Sequence, residues 1–97
     1  MSDEKKALFI PLKEENYRRF ANGIKKYEYR IYGKRWNEKV CIIGRPVILS
    51  CGYGSGKRIC GIITGFNKQE NITDDFRLCY GLFATGPMAE IEIKLNQ

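Results

Sequence analysis

The stretch NGIKKYEYRIY, residues 22–32, marks a change of secondary structure. A helical pattern precedes it, and Gly23 is suited to close the helix because glycine tolerates the left-handed backbone conformation. After Lys25, aromatic or aliphatic residues alternate with charged ones, at the period of two that is typical of a β-strand. This alternation predicts a strand with one core-facing and one charged face. The predicted core-facing set is Tyr27, Tyr29 and Ile31, and the predicted charged set is Lys26, Glu28 and Arg30.

The residues before this stretch predict a strand and then a helix. ALFIPL, residues 7–12, is a short apolar run in which proline favours a strand edge or end. Residues 13–22 follow a helical period, with glutamates in the first turn, where the helix dipole favours negative charge. The hydrophobic residues at helical spacing predict one buried face, made of Tyr17, Phe20, Ala21 and Ile24.

The residues after it predict further strands. Residues 33–39 are expected to form a connection, with a turn of helix around Trp36. VILSC (47–51) and RICGIITGF (58–66) predict an antiparallel pair joined by a glycine-rich turn. A short helix is expected near 74–80, and MAEIEIKL (88–95) alternates as a closing strand with isoleucines inward. We therefore expect an α+β fold, a small mixed β-barrel of about five or six strands with one principal helix.

Composition predicts one globular domain with a polyanionic partner. The chain has 97 residues and a net charge of +6. This length suits a single domain, which we expect over residues 7–97. The charged residues 1–6 are expected to be a disordered tail. Residues 1–60 hold fourteen Lys/Arg against six Asp/Glu, whereas residues 61–97 hold three against five. A basic surface confined to one part of the chain favours RNA, DNA or a nucleotide. The alternative is a charge excess that only keeps the protein in solution.

The cysteine and histidine content argues against a metal site and against several kinds of catalysis. The four cysteines are never two residues apart, and the chain has no histidine, so we expect no metal and no cofactor. Cys41, Cys51 and Cys60 lie in apolar sequence and are expected to be core residues in a reducing compartment. No apolar run approaches the roughly 18 residues of a membrane span, and the first residues do not resemble a signal peptide. We expect a cytoplasmic protein, monomeric by default.

The glycine-rich segment CGYGSGKR, residues 51–58, resembles a phosphate-binding loop but does not match the sequence pattern of that motif. Cys51 occupies the first glycine position, Arg58 the Ser/Thr position, and a strand rather than a helix follows. The glycines are therefore expected to be turn residues. Tyr53, Lys57 and Arg58 still offer a stacking face and cations to a nucleic acid.

The spacing Gly-x-Lys-x-x-Glu-x-Arg, formed by Gly23, Lys25, Glu28 and Arg30, is similar to that of the ASCH domain, a branch of the PUA-like superfamily. The segment GRPVILSCGYGSGKRICGIITGF and the closing AEIEIKL agree with it, so the resemblance covers residues 7–95 apart from 67–87. It implies a PUA-like pseudo-barrel with a cleft beside the helix-to-strand junction. It also implies RNA binding, with which the family is associated.

The same resemblance implies an enzymatic alternative. The superfamily includes a small enzyme that removes the acetyl group from acetylcytidine, and its catalytic lysine is matched by Lys25. Its catalytic threonine is replaced here by Glu28, which departs from the enzyme's pattern. Its later catalytic glutamate has no secure counterpart; Glu70 is the nearest residue, and the role is not carried over to it.

Two functions follow as expectations. The first is an RNA- or nucleotide-binding module that uses a basic cleft at the helix–strand junction. The second is a small hydrolase acting on a modified nucleoside or on RNA, with Lys25 and Glu28 as catalytic residues. A protein-interaction module and a simple solvated charged face are the remaining alternatives, and Trp36 is expected in the core or stacked on a base. The expected binding residues are Lys25, Lys26, Glu28, Arg30, Lys34, Arg35, Tyr53, Lys57 and Arg58, with Arg18 and Arg19 as further phosphate contacts.

Overall fold

One helix and one curled sheet organise the part of the chain that the computed structural model describes, residues 6–52, 56–70 and 86–96. The predictions for residues 1–5 of the tail, for the short helix near 74–80 and for Tyr53 fall outside these residues. In chain order the elements are β1 (Leu8–Leu12), α1 (Glu14–Ala21), β2 (Tyr27–Ile31), β3 (Pro46–Cys51), β4 (Arg58–Gln69) and β5 (Met88–Leu95).

The sheet is a mixed half-barrel whose five described strands lie in the order β1–β3–β4–β5–β2. β1 runs parallel to β3, and the other neighbouring strands are antiparallel. Among these described strands β1 and β2 are outermost, so Pro11 in β1 stands at the edge of the described sheet, where a missing backbone donor costs little. The prediction of a small, barrel-like α+β fold with one principal helix is confirmed at this level.

Helix α1 ends where the sequence predicts, but fewer of its residues are buried than the sequence predicts. Gly23 has a φ of +77°; its N–H donates to the Phe20 carbonyl at 3.0 Å and the Ile24 N–H donates to the Arg19 carbonyl at 2.9 Å. These two hydrogen bonds, from N–H groups just beyond the helix to carbonyl groups of its last turns, are typical of a helix that ends at a residue in the left-handed conformation. Phe20 is fully buried, but Ile24 is 74% exposed because it follows the reversal. The prediction that Ile24 and Ala21 belong to the buried face is wrong.

The core lies on the concave face of the sheet, under α1. Its cysteines behave differently from one another: Cys41 is buried, and burial raises the pKa of its thiol to about 11. Cys51 is half-buried, and Cys60 is exposed because β4 buries only one of its faces there. The prediction that Cys60 is a core residue is therefore wrong. The buried core cluster comprises Ile10, Leu12, Phe20, Cys41, Val47, Leu49, Ile63, Ile91 and Ile93.

Strand β2 has the predicted period but the opposite orientation. Glu28 is only 5% exposed, whereas Tyr27 and Ile31 are 38% and 39% exposed. The cause is the register with β5, in which Glu28 pairs with Ile91. Cross-strand partners share a face of the sheet, and Ile91 belongs to the core, so Glu28 points inward with it. The prediction that the tyrosine face fills the core is wrong.

The connection between β2 and β3 has no helical turn around Trp36; residues 33–37 form bends. The Asn37 side chain organises it, since its oxygen accepts hydrogen bonds from the backbone N–H groups of Lys39 and Val40 at 2.9 and 3.0 Å. Its amide donates to the Gly33 carbonyl at 2.8 Å. This arrangement lays Trp36 against the core, where it is half-buried.

The close approach of β4 and β5 gives a stability prediction. A Cβ added at Gly61 would lie 2.6 Å from the Lys94 carbonyl oxygen, whereas one added at Gly33 would meet nothing within 4 Å. We expect Gly61→Ala to lower the free energy of unfolding by about 2 kcal/mol through overpacking. Gly33→Ala is the matched control and should stay within about 0.5 kcal/mol of the parent. Urea titrations followed by circular dichroism measure both, and equal stabilities would contradict this account of the contact.

Candidate functional site

A buried carboxylate lies between two cations where the chain passes from α1 into β2. The closing turn after Gly23 directs Lys25 back over the end of the helix, and the inward orientation of β2 brings Glu28 and Arg30 beside it. Glu28 Oε2 accepts a hydrogen bond from Arg30 Nε at 2.8 Å, and Glu28 Oε1 lies 3.5 Å from Lys25 Nζ. We call Lys25, Glu28 and Arg30 the ionic cluster; it carries one formal positive charge.

The ionic cluster is shielded from water. The side chains of Lys25 and Glu28 are 8% and 7% exposed, and Lys25 Nζ lies 5.7 Å from the ring centres of both Phe20 and Tyr29. Burial lowers the pKa of Lys25, and the attraction of Glu28 opposes that shift. The neighbouring cations Arg19 and Arg30 also lower the pKa of Lys25, to a smaller extent than burial does.

Arg30 joins the two edges of the sheet. Its Nη2 donates to the Pro11 carbonyl oxygen at 2.6 Å, which links edge strand β2 to edge strand β1. Pro11 is available as an acceptor because the next carbonyl, that of Leu12, points the other way and accepts from the Gly52 N–H. The Arg30 guanidinium carbon also stands 4.8 Å from the ring centre of Trp36, a cation–π distance. One side chain therefore fixes the carboxylate and closes the half-barrel.

Two cavities adjoin the helix–strand junction. The larger, of about 610 Å³, is a wedge between the C-terminal end of α1 and the C-terminal end of β5. The smaller, of about 320 Å³, lies beside Tyr27 and Tyr29. Lys25 and Lys26 line both, whereas Glu28 and Arg30 line neither. The ionic cluster thus meets these two cavities through Lys25 alone.

A second carboxylate, Glu92, stands in the wall of the larger cavity. Its Oε2 accepts a hydrogen bond from the Tyr27 hydroxyl and its Oε1 accepts one from Thr64 Oγ1, each at 3.0 Å. The bond to Glu92 raises the pKa of Tyr27. The register of β4 against β5 shifts between Ile63 and Gly65, a bulge that turns Thr64 toward the carboxylate.

Sequence reasoning missed this wall. The alternation over residues 88–95 predicts only that Glu92 and Lys94 face outward, and the sequence pattern does not single out Thr64. The signal was a glycine, Gly65, inside an apolar strand, which often marks a bulge. A Cβ at Gly65 would lie 3.0 Å from Glu92 Oε1, so glycine makes room for the carboxylate.

The other predicted binding residues lie away from both cavities or are engaged elsewhere. The Arg35 guanidinium carbon lies 5.9 Å from the Trp36 ring centre, and that of Arg58 lies 5.5 Å from the ring centre of Phe9. Arg18 pairs with Glu14 on the exposed face of α1. Residues that line neither cavity are Lys34, Arg35, Lys57, Arg58 and Arg18, whereas Arg19 lines the smaller one while pairing with Glu15.

Comparison with known proteins adds no assignment: a scan against models of protein families and a search of curated proteins each return no match. Among the described residues, no group of three or more His, Cys, Asp or Glu side chains is arranged to hold a metal ion. No helix in that part of the chain is long and apolar enough to cross a membrane.

Removing the buried carboxylate tests the ionic cluster. We expect Glu28→Gln to lower the free energy of unfolding by about 3 kcal/mol, because it leaves two shielded cations without their counter-charge. Glu14→Gln is the control, since its ion pair with Arg18 is more than half exposed on both sides and is worth about 0–1 kcal/mol. Urea unfolding at neutral pH compares the two variants. An equal, small effect would show that the cluster contributes no more than a surface pair.

Proposed function

We propose that this protein is an RNA- or nucleotide-binding module of the ASCH type, with a PUA-like barrel and a binding cleft at the helix–strand junction. The observation that carries the proposal is the larger cavity, where Lys25 and Lys26 meet an apolar wall beside the ionic cluster. Its size falls within the range of about 300–1,000 Å³ that is usual for small-ligand sites.

The charge at the junction suits a phosphate group. Lys25 and Lys26 line both cavities, Arg19 lines the smaller and Lys94 the larger, whereas Glu92 is the one acid among the described lining residues. Lys26 and Lys94 are exposed, so their ammonium groups can reach a phosphate without burial. Cations position a nucleic acid through its backbone, while the base edges supply specificity.

The apolar part of the cavity suits a base. Ala21, Ile93 and Leu95 contribute hydrophobic surface beside the lysines. A nucleotide combines a flat, largely apolar ring with an anionic end, so one ligand can cover the hydrophobic wall and reach the ammonium groups at the same time. The surplus of basic residues in the first sixty positions provides a further attraction for a longer RNA strand.

Salt dependence tests the proposed phosphate contact. We expect the affinity for single-stranded RNA to fall with salt, by about 0.7 log units per log unit of salt for each phosphate neutralised. Lys26→Ala should weaken binding and reduce that slope by about 0.7. Lys13→Ala is the matched control, because Lys13 is exposed at the other end of α1 and lines neither cavity. Fluorescence anisotropy at several salt concentrations measures the slopes; a slope of zero for the parent protein would rule out phosphate-driven binding.

One observation favours the hydrolase as a second function. Burial lowers the pKa of Lys25, which increases the neutral fraction of an amine that could act as a general base. Glu28 Oε1 lies 3.5 Å from that amine and could carry the proton onward. In the reaction with acetylcytidine, water adds to the acetyl carbonyl carbon, the amide C–N bond breaks, and the exocyclic nitrogen leaves with a proton.

Turnover of acetylcytidine tests this second function. We expect Lys25→Ala to abolish deacetylation while circular dichroism still reports the parent fold. The parent rate should rise with pH through the lowered pKa of Lys25, because the neutral amine is the active form. Lys13→Ala serves as the control and should keep the parent rate. Chromatographic detection of cytidine measures turnover; an unchanged rate in Lys25→Ala would dismiss the enzymatic alternative.

A further inference from the structure

We propose that Glu92 is a specificity-determining residue of the larger cavity and selects a guanine-type base, one that presents two adjacent N–H donors. The inference rests on the proposed nucleotide binding and deepens it by naming the base. Glu92 is a candidate for this role because it lines the cavity together with apolar residues and two exposed lysines, Lys26 and Lys94.

The position of the Glu92 carboxylate is fixed from three directions. The Tyr27 hydroxyl holds Oε2 and the Thr64 hydroxyl holds Oε1, each at 3.0 Å. Gly65 leaves room beside Oε1 that a side chain would take. The register pairs Gly65 with Glu92 and leaves Thr64 as the inserted residue of the bulge beside it. Bulges are over-represented beside functional sites, where they re-aim side chains.

The hydrogen-bonding capacity that remains on Glu92 matches two parallel donors. A carboxylate offers about four lone-pair positions on its two oxygens, and one described donor occupies each oxygen. Each oxygen can therefore accept one further hydrogen bond. The Watson–Crick edge of guanine presents an N1–H and a 2-amino N–H side by side, which fit the two oxygens. Hypoxanthine lacks the amino group, adenine and cytosine present one amino group beside an acceptor nitrogen, and uracil presents one N–H between two carbonyls.

The surroundings of Glu92 accommodate the rest of such a ligand. Leu95 and Ala21 offer apolar surface to the purine ring, and Lys26 and Lys94 are exposed cations on the rim of the same cavity. A carboxylate repels phosphate, so the arrangement orients the ligand with its base toward Glu92 and its phosphate toward the lysines. In this orientation the Glu92 carboxylate binds the base, and the ammonium groups of Lys26 and Lys94 bind the phosphate.

A panel of nucleoside monophosphates tests the inference on the parent protein. Isothermal titration calorimetry should rank GMP above IMP, and IMP above AMP, CMP and UMP. We expect GMP to bind about tenfold or more tightly than AMP, the scale of one bidentate base contact. The comparison of GMP with IMP isolates the 2-amino group, because the two ligands are otherwise alike.

Two variants and one control assign the preference to Glu92. Glu92→Gln replaces one acceptor by a donor and should abolish the preference for GMP over AMP. Glu90→Gln is the matched control: Glu90 lies on the same strand and face, accepts from the Tyr29 hydroxyl at 2.8 Å and lines neither cavity. Thr64→Val keeps the branched shape but releases Oε1, and should reduce the preference if Glu92→Gln does not fold.

The outcomes separate this inference from the proposed function. A loss of GMP preference in Glu92→Gln, with the preference retained in Glu90→Gln, supports the selection by Glu92. Binding of nucleotides or RNA without any preference for GMP overturns the inference and leaves the proposed function standing. Equal weakening of every nucleotide in Glu92→Gln also overturns it, because the residue then acts on the cavity as a whole. If neither nucleotides nor RNA bind, both proposals fail.

Discussion

The ionic bond between Glu28 and Arg30 is the constraint on which the architecture around the helix–strand junction depends. The carboxylate fixes the Arg30 guanidinium, which then reaches the Pro11 carbonyl across the opening of the half-barrel. A shielded charge is costly without a partner, so the three groups of the ionic cluster favour one arrangement over looser ones. That arrangement also holds Lys25 in the wall of both cavities, which links the stability of the fold to the geometry of the candidate site.

The order and type of the elements follow from hydrophobic period and glycine placement, and the sequence was sufficient for these. The orientation of β2 was not predictable in the same way. An alternating pattern shows that a strand has two different faces, but the facing strand decides which one is buried. Aromatic residues are usually buried in preference to charged ones. Here Ile91 of β5 pairs with Glu28, so the face that carries Glu28 points inward. The exposure of Ile24 has a similar origin, since the reversal at Gly23 ends the helical face.

The candidate site likewise has one part that could be predicted from the sequence and one part that could not. The clustering of positions 25, 28 and 30 could be anticipated because they lie within six residues of one another, and local spacing constrains them. The wall around Glu92 could not, because it brings together β2, β4 and β5 through a bulge. Contacts between distant parts of the chain depend on register, and a single sequence carries no direct record of register. Long-range geometry therefore supplies the part of the site on which the proposed base selectivity depends.

β1 and β2, the outermost of the described strands, bear on how the protein behaves when it is crowded among other chains. An unpaired strand edge is a template for addition of a foreign strand, and natural sheets resist this with proline and with charges that point inward. β1 has Pro11 at its edge, and β2 carries Glu28 and Arg30 on its concave side. A neighbouring polypeptide that docked on β2 would bring its own side chains against that charge. Proline and inward-pointing charge of this kind disfavour the addition of a foreign strand, so the groups that close the half-barrel also act at its described edges.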